Sequence, residues 1–268
     1  MNDEERRQLT KEFKEFATEI DIDLIGVVGM DGLKEMNANA KTGRRPDEVC
    51  PSAKSLVVFA VGHLDPYVKI WTSPQENLLS GISNPAINMQ MIRQIKLQKY
   101  LRQKGFQSYG YRETGGLFHL SIREAQAFRL AGLGYVGYNQ LANSEKYGPR
   151  MYLGHFFTEA PLIPDEPYTE NHCGDCNVCV RFCTSHAIMG DDYFNARRCE
   201  SVINCRPNMV YFSLTGWHDC DMCYRKCPRG EYKFPLEERR GNWWDIVRKN
   251  RESTISENSI YLKKKLNK

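Results

Sequence analysis

Residues 173–183 read CGDCNVCVRFC, a run of four cysteines that constrains the fold of this chain more than any other stretch. A second run, C-x2-C-x3-C-P, covers residues 220–228. Thiolates spaced by three residues wrap one corner of an iron–sulfur cube and leave one iron for a distant ligand. In two-cluster ferredoxins, the fourth cysteine of such a run binds the other cluster. The sequence therefore predicts two [4Fe–4S] clusters with crossed ligands.

The crossed arrangement assigns eight metal ligands. The first cluster would be held by Cys173, Cys176, Cys179 and Cys227. The second cluster would be held by Cys183, Cys199, Cys220 and Cys223. Two alternatives stay open. Cys205 could replace Cys199, or the thiols could form a pair of zinc sites, although zinc sites commonly use two cysteine pairs separated by more than about ten residues. Thr184 stands where a proline usually follows the fourth cysteine, which loosens the local turn.

Length and composition indicate a folded metalloprotein rather than a disulfide scaffold. The chain has 268 residues, of which 41% are apolar, enough for one large domain or two modest ones. Arg6 and Arg7 are not followed by the apolar stretch of about 7–15 residues that an export signal needs. No run approaches the roughly 20 apolar residues of a membrane span. We therefore expect a cytoplasmic protein without a membrane span, because clustered cysteines in that reducing compartment are metal ligands more often than disulfides.

Apolar periodicity divides the chain into three parts. Strands alternate with helices across residues 1–165, which predicts an α/β or α+β layer domain. The expected helices cover residues 3–19, 84–104 and 121–131, and the expected strands cover residues 23–29, 55–62, 106–113 and 150–158. Prolines in residues 161–167 mark the boundary to a double [4Fe–4S] domain of the bacterial ferredoxin type at residues 166–232. Residues 233–268 form a basic C-terminal tail or helix, either solvated or in contact with nucleic acid.

Residues 132–137, GLGYVG, match the glycine pattern of dinucleotide-binding folds letter for letter. That pattern binds phosphate groups where a strand precedes it and a helix follows it. Here the expected helix 121–131 precedes the glycines, and Tyr138 leads toward a loop. The glycines are therefore expected to let the backbone turn tightly or approach something flat and bulky.

Several segments resemble one known superfamily. The stretch from AGLGYVGYNQ to PLIPDEP (131–167) and the stretch CGDCNVCVRFCTSHAI (173–188) resemble the epoxyqueuosine reductases and the related reductive dehalogenases. NARRCE (195–200) and HDCDMCYRKCP (218–228) are similar to the later ligand segments of that superfamily. The resemblance implies a nitroreductase-like N-terminal domain that carries cobalamin, with flavin as the alternative cofactor. It also implies that the two clusters feed electrons to cobalt, which drives a two-electron reductive cleavage.

The resemblance further implies a set of cofactor-binding residues around the glycine-rich turn. These residues are Gly132, Gly134, Gly137, Tyr138, Asn139, Arg150 and Tyr152. For Arg150 the alternative is a surface position on its strand. Glu124 is explained by a helix capping box with Ser121.

The general acid is the point at which this sequence departs from the superfamily. The epoxyqueuosine reductases carry an aspartate upstream of the GLG turn, at the position where this chain has Phe118 followed by His119. The Lys or Arg that usually follows the last glycine is Tyr138 here. His119 and Tyr138 are therefore the candidate catalytic acids, because histidine titrates near neutrality and a tyrosine can protonate a strongly basic intermediate. Packing or a loop hydrogen bond is the alternative role for each.

These observations predict an iron–sulfur oxidoreductase that passes electrons from two clusters to bound cobalamin for reductive cleavage of an unidentified substrate. The sequence as given lacks the C-terminal helical-repeat extension of full-length tRNA-acting enzymes of the superfamily, which counts against the tRNA reaction. Two alternatives stay open: a short epoxyqueuosine reductase acting on tRNA, and an electron-transfer protein that activates a corrinoid partner. The expected electron donor is a low-potential ferredoxin or flavodoxin, and the substrate is a small molecule or tRNA.

Overall fold

The computed structural model describes residues 1–34, 36, 48, 50–62, 85–110, 124–183, 185–190, 193–195, 198–199 and 222–231. The chain divides into two compact units, Met1–Tyr232 and Lys233–Lys268, and the second, which contains the predicted basic tail, lies outside the described residues. The helices are α1 (Asp3–Glu19), α2 (Met30–Lys34), α3 (Pro85–Gln103), α4 (Glu124–Leu130), α5 (Val178–Phe182) and α6 (Met222–Arg225). The strands are β1 (Leu24–Gly29), β2 (Ser55–Gly62), β3 (Ser108–Tyr109), β4 (Tyr135–Val136), β5 (Ala142–Asn143), β6 (Met151–Thr158), β7 (Ile188–Gly190) and β8 (Tyr193–Phe194).

Four strands form the central sheet in the order β1-β2-β6-β3, and each neighbouring pair is antiparallel. The register places Val27 opposite Val57 and Val58 opposite His155. The predicted strand 55–62 is confirmed as β2, whose first six residues are buried. An apolar run of this kind is typical of a strand covered on both faces, and β2 is one of the two inner strands.

Helices cover both faces of this sheet. On one face, α1 contributes Phe13 and α3 contributes Leu101 to a core that includes Phe156 of β6. On the other face, α4 contributes Phe128 to a core that includes Phe157. All five side chains are completely buried. The layered arrangement confirms the predicted mixed α/β fold of this part of the chain.

The proline-rich segment 161–167 packs onto the sheet instead of forming a free linker. Leu162 is buried, and the Asp165 carboxylate accepts hydrogen bonds from Lys14 Nζ at 2.5 and 2.7 Å. The same carboxylate accepts a hydrogen bond from the Val27 backbone N–H at 2.9 Å. One side chain therefore ties helix α1 and strand β1 to the point where the chain leaves for the cysteine-rich part.

Two predicted elements lie only partly within the described residues. Of the expected strand 106–113, Ser108–Tyr109 forms β3, and residues from 111 onward lie outside the described part. The expected helix 121–131 appears as α4, and residues 121–123 are again not described. Among the helices that the structure describes, none has the length and apolar character needed to cross a membrane.

Candidate functional site

The sulfur atoms assigned to the first cluster lie close enough to act on one another electrostatically. We call Cys173, Cys176, Cys179 and Cys227 the first thiol set. Burial raises the pKa of the Cys179 thiol to about 11, and the charges of the other three thiols add to the rise. Burial also raises the pKa of the Cys227 thiol, with smaller contributions from Cys173 and Cys176. The fold thus brings Cys227 to three thiols from a separate segment.

Local backbone hydrogen bonds hold the first three of these thiols. The Cys173 N–H donates to Asn171 Oδ1 and the Cys176 N–H donates to the Cys173 carbonyl, each over 2.9 Å. Between them, Gly174 has a φ of 50°, a left-handed conformation that glycine adopts without strain. Cys179 follows as a buried residue of α5. The dense spacing of the run is therefore accommodated by one tight turn and one short helix.

The segment around α6 reaches the first thiol set by docking onto the loop before β6. The Glu231 N–H donates to the Lys146 carbonyl over 2.8 Å. Gly148 and Gly230 meet at the contact, with φ values of 58° and 89°. A Cβ atom at Gly148 would lie 2.2 Å from the Arg229 carbonyl oxygen, and one at Gly230 would lie 2.4 Å from the Gly148 nitrogen. Only glycines permit the two backbones to approach this closely.

Two guanidinium groups connect the docked segment to the rest of the set. Arg150 is 2% exposed; its Nη1 donates to the Cys227 carbonyl over 3.1 Å and its Nη2 donates to the Arg229 carbonyl. Arg229 in turn donates from Nη2 to the Cys173 carbonyl over 3.1 Å, and its backbone N–H donates to the Cys227 thiol. Burial lowers the pKa of Arg150, and the charge of Cys227 opposes that shift. The interpretation of Arg150 as a surface strand residue is wrong, because its side chain is buried.

Three of the four thiols assigned to the second cluster meet in one small apolar cluster. We call Cys183, Cys199, Cys220 and Cys223 the second thiol set. Cys183 is buried in this cluster, and Cys199 and Cys223 pack against it. Cys220 and the alternative ligand Cys205 lie outside the described residues. The assignment of the second thiol set to a metal cluster stays a prediction.

The donor chemistry of the first thiol set fits a metal cluster that is larger than one ion. The eight cysteines in the described ranges are all free thiols. Within the same ranges, no three His, Cys, Asp or Glu side chains are arranged around a point that one metal ion could occupy. A tetrahedral zinc ion would hold its sulfurs about 3.8 Å apart, whereas a four-iron cube holds its thiolates farther apart. Four neighbouring thiols with the buried Arg150 and the half-buried Arg229 beside them suit such a cube.

The glycine-rich turn is a hairpin that packs against its own backbone. Helix α4 precedes it, and β4, which lies inside the motif, pairs with β5. Gly132 has a φ of 71°, and a Cβ atom at Gly134 would lie 2.1 Å from the Asn143 carbonyl oxygen. Gly137 lies against the side chains of Asn139 and Asn143, which hydrogen-bond to each other over 3.2 Å. The prediction of a tight turn is confirmed, while an approach to a flat cofactor stays a prediction.

Of the two candidate acids, Tyr138 lies within the described residues and His119 does not. The Tyr138 hydroxyl donates to the Gly174 carbonyl over 3.2 Å, which joins the glycine-rich hairpin to the turn between the first two thiols. Tyr152, a predicted cofactor residue, is half-buried on β6 opposite Val61. Their roles in catalysis and cofactor binding stay predictions.

Tyr135 is a residue of this site that sequence reasoning missed. It is 2% exposed on β4, and burial, followed by the charges of Cys173 and Cys227, raises its pKa to about 12. Its ring meets that of His172 edge-on, with centroids 5.3 Å apart. In the sequence, Tyr135 occupies a spacer position of the glycine pattern. The two-residue strand that buries it is too short to give a periodic signal.

Glu124 has a long-range partner that the sequence did not indicate. Its Oε1 lies 3.2 Å from His155 Nδ1, and His155 is a buried residue of β6. The capping-box interpretation depends on Ser121, which lies outside the described residues. The contact with β6 gives the first residue of α4 a role in holding that helix on the sheet.

Comparison with known sequences finds epoxyqueuosine reductases. The chain is 26% identical to the epoxyqueuosine reductase of Vibrio cholerae over 250 residues, which cover 83% of this chain and 67% of that protein. It is 27% identical to the enzyme of Synechocystis, covering 68% of this chain and 64% of the relative. It is 35% identical to that of Lactococcus garvieae over 121 residues, which cover 43% of this chain and 33% of the relative. The chain thus spans between one third and two thirds of the length of these relatives, and no family model matches it.

Solved structures agree on the fold. The epoxyqueuosine reductase of Bacillus subtilis superposes with a TM-score of 0.60 at 23% identity over 86% of this chain and 68% of that chain. The enzyme of Streptococcus thermophilus gives a TM-score of 0.58 at 23% identity over 84% of this chain and 68% of the other. A B12-dependent reductive dehalogenase gives 0.55 at 17% identity over 83% of this chain and 32% of the other. The chain is therefore similar in sequence to epoxyqueuosine reductases, and similar in fold to these enzymes and to a reductive dehalogenase.

Proposed function

We propose that this chain is an epoxyqueuosine reductase that acts on tRNA and receives its electrons through two [4Fe–4S] clusters. The relatives named above carry that activity in their names, and one solved neighbour holds an epoxyqueuosine-modified tRNA stem loop. These comparisons favour tRNA over the unidentified substrate that the sequence first indicated. The substrate would place the protein in the cytoplasm, with a low-potential ferredoxin or flavodoxin as its electron donor.

The observation that carries the redox part of the proposal is the convergence of Cys227 with Cys173, Cys176 and Cys179. Thiolates from two separate runs at these spacings are the ligand pattern of paired [4Fe–4S] clusters. Under the proposal, residues 166–232 form the double-cluster domain and residues 1–165 form a nitroreductase-like cofactor domain. A pair of one-electron clusters can supply the two electrons that the reduction of an epoxide requires.

Cobalamin is the electron acceptor that we propose for the N-terminal domain, and flavin is the alternative. When bound, cobalamin supplies a metal centre that is reduced by two electrons and cleaves the substrate bond. Gly132, Gly134 and Asn139 of the predicted cofactor set are occupied with packing inside the hairpin. We therefore assign contact with the cofactor to the half-buried side chains of Tyr138 and Tyr152. Tyr138 would also hold a proton close to the turn at Gly174.

Complementation tests the substrate. The full chain is expressed in a bacterial strain that lacks its own epoxyqueuosine reductase, and the modified nucleosides of its tRNA are quantified by mass spectrometry. Restored queuosine is the expected result, and continued accumulation of the epoxide would reject tRNA as the substrate. Anaerobic reconstitution with iron, sulfide and cobalamin tests the cofactors, with about eight irons per chain and a perturbed cobalt spectrum expected. Full iron with an unperturbed cobalt spectrum would favour flavin or an electron-carrier role.

A further inference from the structure

We propose that Arg229 is a positioning residue that raises the reduction potential of the cluster held by the first thiol set. The inference rests on the proposed function, because it requires that the set binds a [4Fe–4S] cluster. Arg229 follows the last ligand, Cys227, by two positions, and it stands where neither the ligand spacing nor the glycine pattern requires an arginine.

Hydrogen bonds place Arg229 against both ends of the first thiol set. Its Nη2 donates to the Cys173 carbonyl over 3.1 Å, and its backbone N–H donates to the Cys227 thiol. Its charge also acts on the buried Tyr135 phenol, on which Cys173, Cys227 and Cys176 act with the opposite sign. The guanidinium therefore acts on the same phenol as three of the four sulfurs that would hold the cluster.

One hydrogen-bond donor of the Arg229 side chain is unsatisfied. Its Nε is buried and has no hydrogen-bond partner among the described residues. A buried donor without an acceptor destabilises the fold, because it has lost its hydrogen bond to water. Sulfur atoms of a cluster and of its thiolate ligands accept hydrogen bonds and carry negative charge, so a cluster in this place would provide the missing acceptor.

The backbone around Arg229 is fixed by contacts that involve other residues. Arg150 holds the carbonyl oxygens of Cys227 and Arg229. Gly148 and Gly230 let the docked segment lie directly against the loop before β6. A charge held rigidly in a site removed from water acts more strongly than a mobile surface charge.

A nearby cation stabilises the more negative, reduced state of an iron–sulfur cluster, and hydrogen bonds to the sulfurs act in the same direction. Both effects raise the reduction potential of the first cluster. Among the arginines near the second thiol set whose side chains the structure describes, Arg181 and Arg198 are exposed. The first cluster would therefore accept electrons from the second, and Tyr138 joins its ligand turn to the glycine-rich hairpin of the cofactor domain.

Potentiometric titration of the reconstituted full chain, monitored by electron paramagnetic resonance, tests this assignment. The variants are Arg229→Gln, which removes the charge, and Arg229→Lys, which keeps the charge and loses the Nε donor. Arg181→Gln is the matched control, because it removes an exposed charge from the run that contains Cys173, Cys176 and Cys179. Iron and sulfide are counted in every sample.

In Arg229→Gln, one of the two cluster reduction steps should shift to a more negative potential, by about tenfold in the equilibrium constant or about 59 mV for one electron. Arg229→Lys should shift the same step less, and Arg181→Gln should leave both steps unchanged. Unchanged potentials in Arg229→Gln at full iron content, or equal shifts of both steps, would overturn this inference. Neither result would contradict the proposed function. If Arg229→Gln fails to load iron, unchanged potentials in Arg229→Lys decide against the inference. A wild-type chain without any cluster signal would overturn the proposed function as well.

Discussion

The Arg150 guanidinium donates to the Cys227 carbonyl over 3.1 Å, although the two residues lie 77 positions apart in the chain. Arg150 comes immediately before a strand of the central sheet, and Cys227 is the last cysteine of the first thiol set. This one side chain therefore joins the α/β layers to the cysteine-rich part. Because the carbonyls of Cys227 and Arg229 share the same guanidinium, loss of the side chain should affect both folding and cluster assembly.

Arg150→Met should reduce the free energy of unfolding by about 1–3 kcal/mol, because it leaves two carbonyl acceptors without their donor. Urea unfolding of the reconstituted full chain, followed by circular dichroism, measures the change. Arg181→Met, an exposed arginine, serves as the control and should stay close to wild type. Equal stability of the two variants would contradict the assigned role of Arg150.

Cys227→Ser should lower the iron content from about eight to about four per chain, because one cluster loses a ligand while the other keeps its four. Cys50→Ser is the matched control: Cys50 is also a buried thiol, but it lies in the core between α4 and the sheet. Iron and acid-labile sulfide analysis after anaerobic reconstitution gives the result. Full iron content in Cys227→Ser would reject the crossed ligand assignment.

Gly134→Ala should destabilise the glycine-rich hairpin more than Gly105→Ala destabilises the end of α3. Both glycines have positive φ, 154° and 91°, so alanine introduces backbone strain at both. At Gly134 the added Cβ would also lie 2.1 Å from the Asn143 carbonyl oxygen, whereas at Gly105 nothing lies within 4 Å. Thermal unfolding measures the loss of stability in each variant. Because both variants carry backbone strain, the additional loss in Gly134→Ala reports the steric clash. A larger loss in Gly105→Ala would contradict the packing described for the hairpin.

Asp165→Asn should reduce the free energy of unfolding by about 1–2 kcal/mol, because charge-assisted hydrogen bonds are worth more than neutral ones. Asp165 and its partner Lys14 are about two thirds buried, with side-chain exposures of 30% and 32%. Asp31→Asn provides the control, since the Asp31 carboxylate pairs with Lys34 over 2.7 Å but is 98% exposed. An exposed pair contributes little to stability. Denaturant titrations should therefore show a shift for Asp165→Asn and none for Asp31→Asn.

The Tyr168 phenol should ionise at a higher pH in the folded chain than in the unfolded chain. Burial and the hydrogen bond to Glu145 raise the pKa of its phenol from 10.0 to about 12. Because the unfolded chain ionises near pH 10, the protonated phenol contributes stability below that value, and the contribution is lost as the pH rises from 10 to 12. Ultraviolet titration of wild type and Tyr168→Phe should differ by one phenolate only near pH 12, and in denaturant the difference should move to about pH 10. A native difference at pH 10 would contradict the structure.

Local sequence determined a large share of the fold. The helix expected at 3–19 is α1, the strand expected at 55–62 is β2, and the helix expected at 84–104 is α3 within one residue at each end. Helix α1 carries an amphipathic pattern, β2 is a continuous apolar run, and the ends of α3 are marked by Pro85 and Gly105. The strand order β1-β2-β6-β3 cannot be predicted from local sequence, because it depends on contacts between strands that are far apart in the chain.

The sequence by itself determined the prediction of a metal site, because the spacing of cysteines along a short segment limits which metal group they could surround. It named Arg150 as a cofactor residue but could not place it beside the first thiol set, and it did not identify Arg229 or Tyr135. The positions of the two arginines depend on residues 146–150 meeting residues 227–231. From local sequence, an arginine is expected at the surface. A buried position requires hydrogen-bond acceptors, and here these are backbone carbonyls from a distant segment. Only the tertiary structure brings those acceptors to the arginine, and that contact decides which thiols have arginines beside them.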